Sequence, residues 1–457
     1  MSKIKVKNFG PIQEGCSNDN GWINVEKVTL FIGNQGSGKS TIAKLISTFT
    51  WIEKALVRGD YDKAYFEKKN KLRDHFLHYH RLTNYLKNNS TTQTEIEYKG
   101  DTHNISFKNE ELLISEITDH STYSLPQLMY VPAERNFISY VKSPKELKLT
   151  SESLKDFLTE FENAKNNLEK LKELPVNEAF IKYDKVKDKL ILQGSDYQLK
   201  LPDASSGFQS LVPLYLVSEY LANSVKKQSS NRNDQMTVEQ RNRFRNEIEA
   251  IHNNDNLNEE QKSIAVSALS SKFNKSCFIN IVEEPEQNLF PTSQWKMLQY
   301  LLKINNYNKG NKLIMTTHSP YIVNFISIVI QGKSLWSKIC HSQQKEVLRE
   351  KFDEIISKEA LVSSKNVAIY QFNEKNGSIF PLSSYEGIPS DENYLNDILG
   401  EGNSLFDKLL EIEEELYFWI FSSHHAKSLQ LTFHYLEYAM ELMEKKLLSI
   451  KITRKNG

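Results

Sequence analysis

The sequence predicts an α/β fold: buried strands that open into polar loops, β hairpins, helical insertions and a helical C-terminal region. Three observations carry that prediction. The apolar run Val28-Thr29-Leu30-Phe31-Ile32 passes through a glycine-rich loop into Thr41-Ile42-Ala43-Lys44-Leu45-Ile46, whose apolar positions recur at helical spacing. Two later runs, Phe278-Ile279-Asn280-Ile281-Val282 and Lys312-Leu313-Ile314-Met315-Thr316-Thr317, have strand length and each opens into a polar cluster. The alternating segments Thr94-Glu95-Ile96-Glu97-Tyr98 and Asn104-Ile105-Ser106-Phe107, joined by Lys99-Gly100-Asp101, read as a hairpin.

In chain order, Ile4, Val6 and Phe9 mark a half-buried first strand that Gly10-Pro11 breaks. From Trp51 to Lys87 the chain turns polar and helical. Gln127-Leu128-Met129-Tyr130-Val131-Pro132 reads as a buried strand leading into the loop Ala133-Glu134-Arg135-Asn136. Residues 150–174 form a charged helix with apolar positions at Leu154, Phe157, Leu158, Phe161, Leu168 and Leu171. Its heptads are too few for a long coiled-coil arm, which leaves a short projection. Leu190-Ile191-Leu192 and Tyr197 to Leu199 make a second hairpin, and Ser205 opens a helix carrying Leu211, Leu214 and Leu216. Residues 225–262, poor in apolar side chains, form an exposed helical insertion within a wider 225–275 segment. A strand pair, Val367-Ala368-Ile369-Tyr370 and Ser378-Ile379-Phe380, then precedes the helical tail. The expected division is 1–150, 151–200, 201–365 and 366–457.

Composition narrows the class. A chain of 457 residues suggests two or three lobes. The 58 basic and 58 acidic side chains cancel, so no global field draws the chain to nucleic acid or membrane. Cys16, Cys277 and Cys340 form no C-x-x-C pair, against a zinc site or disulfide framework. No run of 18 apolar residues and no signal-peptide core is present, which points to a soluble, cytoplasmic protein.

The chemistry begins at Gly33-Asn34-Gln35-Gly36-Ser37-Gly38-Lys39-Ser40-Thr41, which fits G-x-x-x-x-G-K-[ST] between strand and helix. The glycines let backbone N–H groups face an anion, and the helix N-terminus adds its positive end. Lys39 would reach the β- and γ-phosphates, and the Ser40 hydroxyl a Mg²⁺ ion. Downstream, Ser205-Ser206-Gly207-Phe208-Gln209 is a Ser/Gly turn at a helix start, an ordinary N-cap if it stood alone. Glu283-Glu284-Pro285-Glu286 follows a buried strand, where one carboxylate can hold Mg²⁺ and the next can polarise the attacking water. Thr316-Thr317-His318-Ser319 follows another strand, where a histidine could sense the γ-phosphate. Glu134-Arg135 is a candidate for coupling nucleotide state to a neighbouring lobe.

Taken in that order, the P-loop, Ser-Ser-Gly-Phe-Gln, Glu-Glu-Pro-Glu and Thr-His-Ser resemble the head of an ABC-class ATPase. The similarity is to the branch holding SMC, RecF and the ATPase part of OLD-family nucleases. Lys7-Asn8-Phe9-Gly10-Pro11-Ile12 and Glu284-Pro285-Glu286-Gln287-Asn288-Leu289-Phe290-Pro291 add to it, over roughly residues 1–325. The resemblance implies a RecA-like mixed sheet with an antiparallel lobe, and ATP and Mg²⁺ as cofactors. Lys39, Ser40 and Thr41 match the Walker A ligands, Glu284 the catalytic glutamate and His318 the switch histidine. Ser205, Ser206, Gly207 and Gln209 match the signature, which serves the nucleotide of the opposite subunit, and Asn288 the D-loop. Two departures stand out: Glu283 replaces the usual Walker B aspartate, and the signature reads S-S-G-F-Q in place of L-S-G-G-Q. The implied engine is a head-to-tail homodimer, with further assembly left open.

No transmembrane run argues against an intact transporter. OLD nucleases carry a Toprim nuclease after the ATPase, and Tyr385-Glu386-Gly387 with Asp391-Glu392 is superficially similar to its opening. The tail holds no D-x-D pair, so a turn before a helix is the expectation. That tail carries Leu405, Phe406, Leu409, Leu410, Ile412, Tyr417, Phe418, Trp419 and Ile420, then Leu429, Phe433, Leu436, Met440, Met443 and Leu447. Such a stripe reads as core first and partner surface second. His75, His78, His80 and the pair His424-His425 lack carboxylates at metal spacing and read as surface. An ATPase without its own nuclease is similar to the ATPase subunit of two-gene anti-phage systems such as Septu or PARIS, which implies a separate nuclease or toxin partner. Alternatives are a RecF-like DNA-clamping ATPase and a soluble transporter subunit.

Overall fold

The computed structural model describes residues 2–89, 92–117, 123–141, 149–168, 170–229, 238–270, 275–423 and 440. Two compact units divide the chain, Met1–Asp391 and Glu392–Gly457. The expected divisions at 150 and 365 do not part the first unit, because its central sheet takes strands from 1–150, 201–365 and 366–457, whereas the strands of 151–200 form a sheet of their own.

The central sheet has seven strands, in the order Pro126–Val131, Cys277–Glu283, Lys312–Thr317, Val28–Gly33, Val367–Asn373, Ser378–Pro381 and Gly15–Cys16. The first five run parallel. Cys277–Glu283 and Val28–Gly33 are buried along their whole length, as expected of strands covered on both faces. The pair Val367–Asn373 and Ser378–Pro381 is antiparallel, and its first strand lies directly beside the P-loop strand. Residues 367–381 therefore complete the central sheet.

An antiparallel sheet of five strands forms the second layer: Ile23–Asn24, Lys3–Lys7, Glu95–Lys99, His103–Lys108 and Glu111–Glu116. The expected hairpin is here, with Ile96 opposite Phe107. Its inward face supplies Ile4, Val6, Ile96, Tyr98, Ile105 and Phe107 to one core shared with the helix Lys39–Arg58 and the central sheet. A four-stranded antiparallel sheet, Lys172–Glu173, Phe180–Asp184, Lys189–Gln193 and Gln198–Lys200, includes the second hairpin.

The charged helix is shorter than expected, Glu152–Asn166, with Ser151 capping it by accepting from Leu154 N–H; Leu168 and Leu171 lie beyond it, and Lys172–Glu173 is already a strand. The insertion contains helices Val238–His252 and Glu259–Ser270, which close their own small cluster of Phe244, Ile248 and Leu269. Tyr385-Glu386-Gly387 forms the turn of a two-strand hairpin, Ser384–Tyr385 with Ile388–Pro389, with positive φ at Glu386 and Gly387. Among the described residues no helix is long and apolar enough to cross a membrane. Cys16, Cys277 and Cys340 are all free thiols.

Two expectations are corrected. The tail helix, Tyr394–Ser423, does not bury its stripe: Leu405, Phe406, Leu409 and Ile412 are exposed and Leu410 is buried. Periodicity reveals an apolar face but not what covers it. The side chains of Tyr417 to Ile420 and the residues Leu429, Phe433, Leu436, Met443, Leu447 and His424-His425 lie outside the description, while Met440 is exposed. His80 is no surface residue; it is buried, with its ring edge-on to Tyr79 and Tyr130, centroids 4.7 Å away in each case. Burial pushes it down to about 3, so it is neutral. Histidine spacing could not show the chain turning inward after Leu72–Leu77. His75 and His78 are exposed.

Candidate functional site

Strand register assembles the site at one edge of the central sheet. Glu283 lies opposite Thr316, Thr316 opposite Phe31 and Thr317 opposite Ile32. The residues that follow each strand, Glu284, His318 and the loop from Gly33, therefore emerge together beyond the carboxyl ends, where open α/β sheets bind ligands.

Gly33 and Gly38 have φ of 143° and 105°, values that L side chains rarely adopt. A Cβ on Gly33 would also stand 2.6 Å from the Phe372 carbonyl oxygen. The helix Lys39–Arg58 starts at Gly38 with no side chain capping it, which leaves its first N–H groups for a ligand. Asn34, Gln35 and Gly36 are exposed, whereas Ser37, Lys39 and Thr41 are buried and Ser40 is half-buried. Lys39 Nζ donates to the carbonyls of Gly33 at 2.9 Å and Asn34 at 2.8 Å, folding back over its own loop. Burial pushes its ammonium down to about 8, against the pull of Glu284, Glu286, Glu283 and Glu374.

Glu284 and His318 face each other, with Nε2 3.7 Å from Oε1 and each side chain about a third exposed. Burial first, then Glu283, raises the Glu284 carboxyl, while Arg135 and Lys39 oppose this. Burial and then Lys39 lower His318, and a hydrogen bond with the Gly33 backbone works the other way. His318 N–H donates to Glu286 Oε1 at 2.8 Å, so Glu286 fixes the backbone from which the imidazole projects. The pair can orient a water and respond to an added phosphate charge.

Glu283 is buried, with Oε2 accepting from Ala133 N–H at 3.2 Å; Oε1 has no donor at hydrogen-bond geometry, although the buried Tyr130 hydroxyl, itself without an acceptor, lies beside the carboxylate. A carboxylate oxygen left without a donor in the interior fits a cation, since leaving it empty-handed is costly. Among the described residues no cluster of three or more His, Cys, Asp or Glu could hold a metal. Magnesium needs none, because beside a P-loop it takes one carboxylate and a hydroxyl, with phosphate and water completing its shell. Glu283 and Ser40 are the residues that fit.

Ser205 and Ser206 are exposed at the start of the helix Ser206–Ser229, and among the described residues no hydrogen bond joins them to the P-loop. Gly207 packs on the 283–290 loop: a Cβ there would meet Asn288 O at 2.9 Å. Asn288 Nδ2 donates to Ser210 Oγ at 2.9 Å. Gln209 behaves differently from its neighbours. It is buried, donating to the carbonyls of Pro202 and Ala204 and accepting from the Tyr140 hydroxyl, all at 2.9 Å. Its amide shapes the turn and is not presented outward.

Glu134 is exposed and pairs with Arg81 at 2.9 Å, an ion pair of little weight. Arg135 is fully buried and bonds carbonyls of three segments. No local sequence pattern marks the roles of Ser210 and Tyr140. Glu286 leaves a signal, as the last acid of the Glu283–Glu286 run.

Fold and site together define a P-loop ATPase head. The family model for the AAA ATPase domain matches residues 1–274 and 260–323, and the chain belongs to that family. No curated protein sequence matches it. Among solved structures, the SMC head domain from Thermotoga maritima is 11% identical, covering 84% of this chain and 98% of that one, with a TM-score of 0.32. The Smc head domain with an extended coiled coil, bound to the C-terminal domain of ScpA from Pyrococcus furiosus, is 11% identical, with coverages of 91% and 100% and a TM-score of 0.32. The ATP-binding cassette MJ0796, a dimer bound to ADP and Pi, is 12% identical, with coverages of 84% and 100% and a TM-score of 0.26.

Proposed function

We propose that the chain is an ABC-class nucleotide switch that binds and hydrolyses ATP between two copies of itself. The observation that carries the proposal is the convergence of Lys39, Glu284 and His318 at one sheet edge, with Glu284 and His318 3.7 Å apart. The loop Gly33–Thr41 binds the phosphates, with Lys39 releasing its two carbonyls to do so. Ser40 and Glu283 hold Mg²⁺, which supplies charge neutralisation on the phosphates. Glu284 orients the attacking water, and its raised pKa suits proton acceptance. His318 answers the γ-phosphate. Ser205, Ser206 and Gly207, exposed or half-exposed and untied to their own P-loop, serve the nucleotide of the second copy, with Asn288 beneath them.

In this reading the switch is the sensor or scaffold subunit of an anti-phage system and governs a separate nuclease or toxin. The exposed apolar residues of the tail helix are in keeping with a partner protein. The test is Glu284→Gln. Turnover should fall on the order of a hundredfold or more, with ATP binding retained and a dimer trapped by ATP. A strict monomer with wild-type turnover overturns the mechanism. Co-expression with the product of the adjacent gene tests the effector role; DNA-stimulated hydrolysis by the isolated chain, with no protein partner, would favour DNA clamping instead.

A further inference from the structure

Arg135 sits in the segment Ala133–Tyr140, just beyond the edge strand Pro126–Val131. It is fully buried, and its hydrogen-bond partners are carbonyl oxygens, not carboxylates. A guanidinium presents five donors in a rigid fork, and here that fork is spread over separate pieces of chain. Nη1 donates to Glu283 O at 2.6 Å and Pro132 O at 3.3 Å, and Nη2 to Glu284 O at 2.5 Å. Nε turns the other way, to Ser210 O at 3.1 Å in the first turn of the helix that Ser206 opens.

Each end of that bridge matters. Glu284 has a φ of 45°, unfavourable for a residue with a Cβ. Its backbone is held on both sides, the N–H donating to Thr316 O at 2.9 Å and the carbonyl accepting from Arg135. The strained peptide that aims the Glu284 carboxylate is thus pinned by Arg135. At the far end the same segment grips the signature helix twice, through Arg135 to Ser210 O and through the Tyr140 hydroxyl to Gln209 Oε1. Ser210 in turn holds Asn288.

We propose that Arg135 is a positioning residue that makes the placement of Glu284 and of the signature helix interdependent, so that closure of a second copy on Ser205 and Ser206 re-aims the glutamate. The inference rests on the ATPase reading above. Arg135 touches no phosphate in this scheme; it acts through two backbone carbonyls at one end and one at the other. A keystone with a purely structural role would lower stability and scale all activities with the folded fraction. A positioning role separates kcat from nucleotide affinity.

The experiment uses the full chain and the variants Arg135→Lys and Tyr140→Phe. Lysine keeps the charge but cannot span three segments from one nitrogen. Arg135→Lys should lower kcat by about tenfold or more, with KM for ATP and affinity for a fluorescent ATP analogue within about twofold. Tyr140 is 58% exposed, so its phenylalanine variant folds and reports the other grip; kcat should fall about threefold at unchanged affinity. Combining Arg135→Lys with Ser206→Ala should cost less than the product of the single effects, because both act along one path. Wild-type kcat in Arg135→Lys, or a loss that tracks ATP affinity, overturns the proposal. Should the arginine variant not fold, an unchanged kcat in Tyr140→Phe overturns it. A wild-type chain that turns over no ATP overturns the ATPase reading itself.

Discussion

Two buried glutamates, Glu53 near the far end of the P-loop helix and Glu283 at the sheet edge, are 2% and 4% exposed and differ in everything else. Glu53 Oε1 accepts from Thr102 N–H at 2.8 Å, Thr102 Oγ at 3.0 Å and His103 N–H at 3.2 Å, and Oε2 from the Tyr98 hydroxyl at 3.1 Å. The hairpin turn is shaped to it: a Cβ on Gly100 would stand 2.1 Å from Glu53 Oε1. This carboxylate is saturated, and its work is to dock the antiparallel lobe on the P-loop helix. Glu283 has one donor on Oε2 and none on Oε1. Burial alone does not mark function. A buried acid with donors on both oxygens is committed to the fold, and one with an unpaired oxygen has a lone pair that a ligand can use.

The comparison breaks if the two glutamates respond alike to substitution. If Glu283 holds Mg²⁺ as proposed, Glu283→Gln should lower kcat on the order of a thousandfold, because it removes the negative charge that would face the ion. Thermal stability should stay the same or rise, since an under-satisfied buried charge is lost. Calorimetric unfolding beside steady-state hydrolysis measures both, and a large loss of stability would assign Glu283 to the scaffold. Glu53→Ala should do the reverse. It removes the acceptor of the Thr102 and His103 N–H groups and of the Tyr98 hydroxyl, at a cost of about 3 kcal/mol. Turnover per folded molecule should stay at the wild-type value, and a selective loss of kcat would erase the distinction.

The sequence shows one side of this contrast better than the other. The P-loop, the two apolar strands and Glu284 are legible because the signals are local: strand length, glycine spacing, an acid directly after a buried run. Sheet order is not local, so Val367–Asn373 reads as part of the tail although it lies beside the P-loop strand. Glu111–Glu116 escapes notice because Leu112, Leu113 and Ile114 form a run, yet Leu113 points outward, 60% exposed. Arg135 bonds Ser210 and Glu283, 75 and 148 residues away, and no pattern in the chain connects them. Gln209 sits in a motif whose hydroxyls face out, and only its bonds to Pro202, Ala204 and Tyr140 reveal that it faces in. Patterns locate elements; saturation of polar atoms needs coordinates.

A smaller effect sharpens the comparison on the saturated side. Lys54 follows Glu53 on the same helix and is 8% exposed. Burial pushes its ammonium down to about 7, with Arg58 and Lys275 adding to the shift and Asp60 opposing it. Below pH 7 the lysine is charged in both folded and unfolded chains, so its contribution is a constant penalty. Between pH 7 and its unfolded value near 10.4 the unfolded chain binds the extra proton, so stability rises with pH. Across pH 7 to 8 the gain should be about 1 kcal/mol, approaching about 1.4 kcal/mol per unit beyond that. Lys54→Met should remove that slope and be the more stable protein at pH 7. Denaturant unfolding of the two proteins at matched pH values measures the difference between them. Equal slopes in both would mean that Lys54 keeps its charge by a partner, and that this end of the helix, too, has polar capacity to spare.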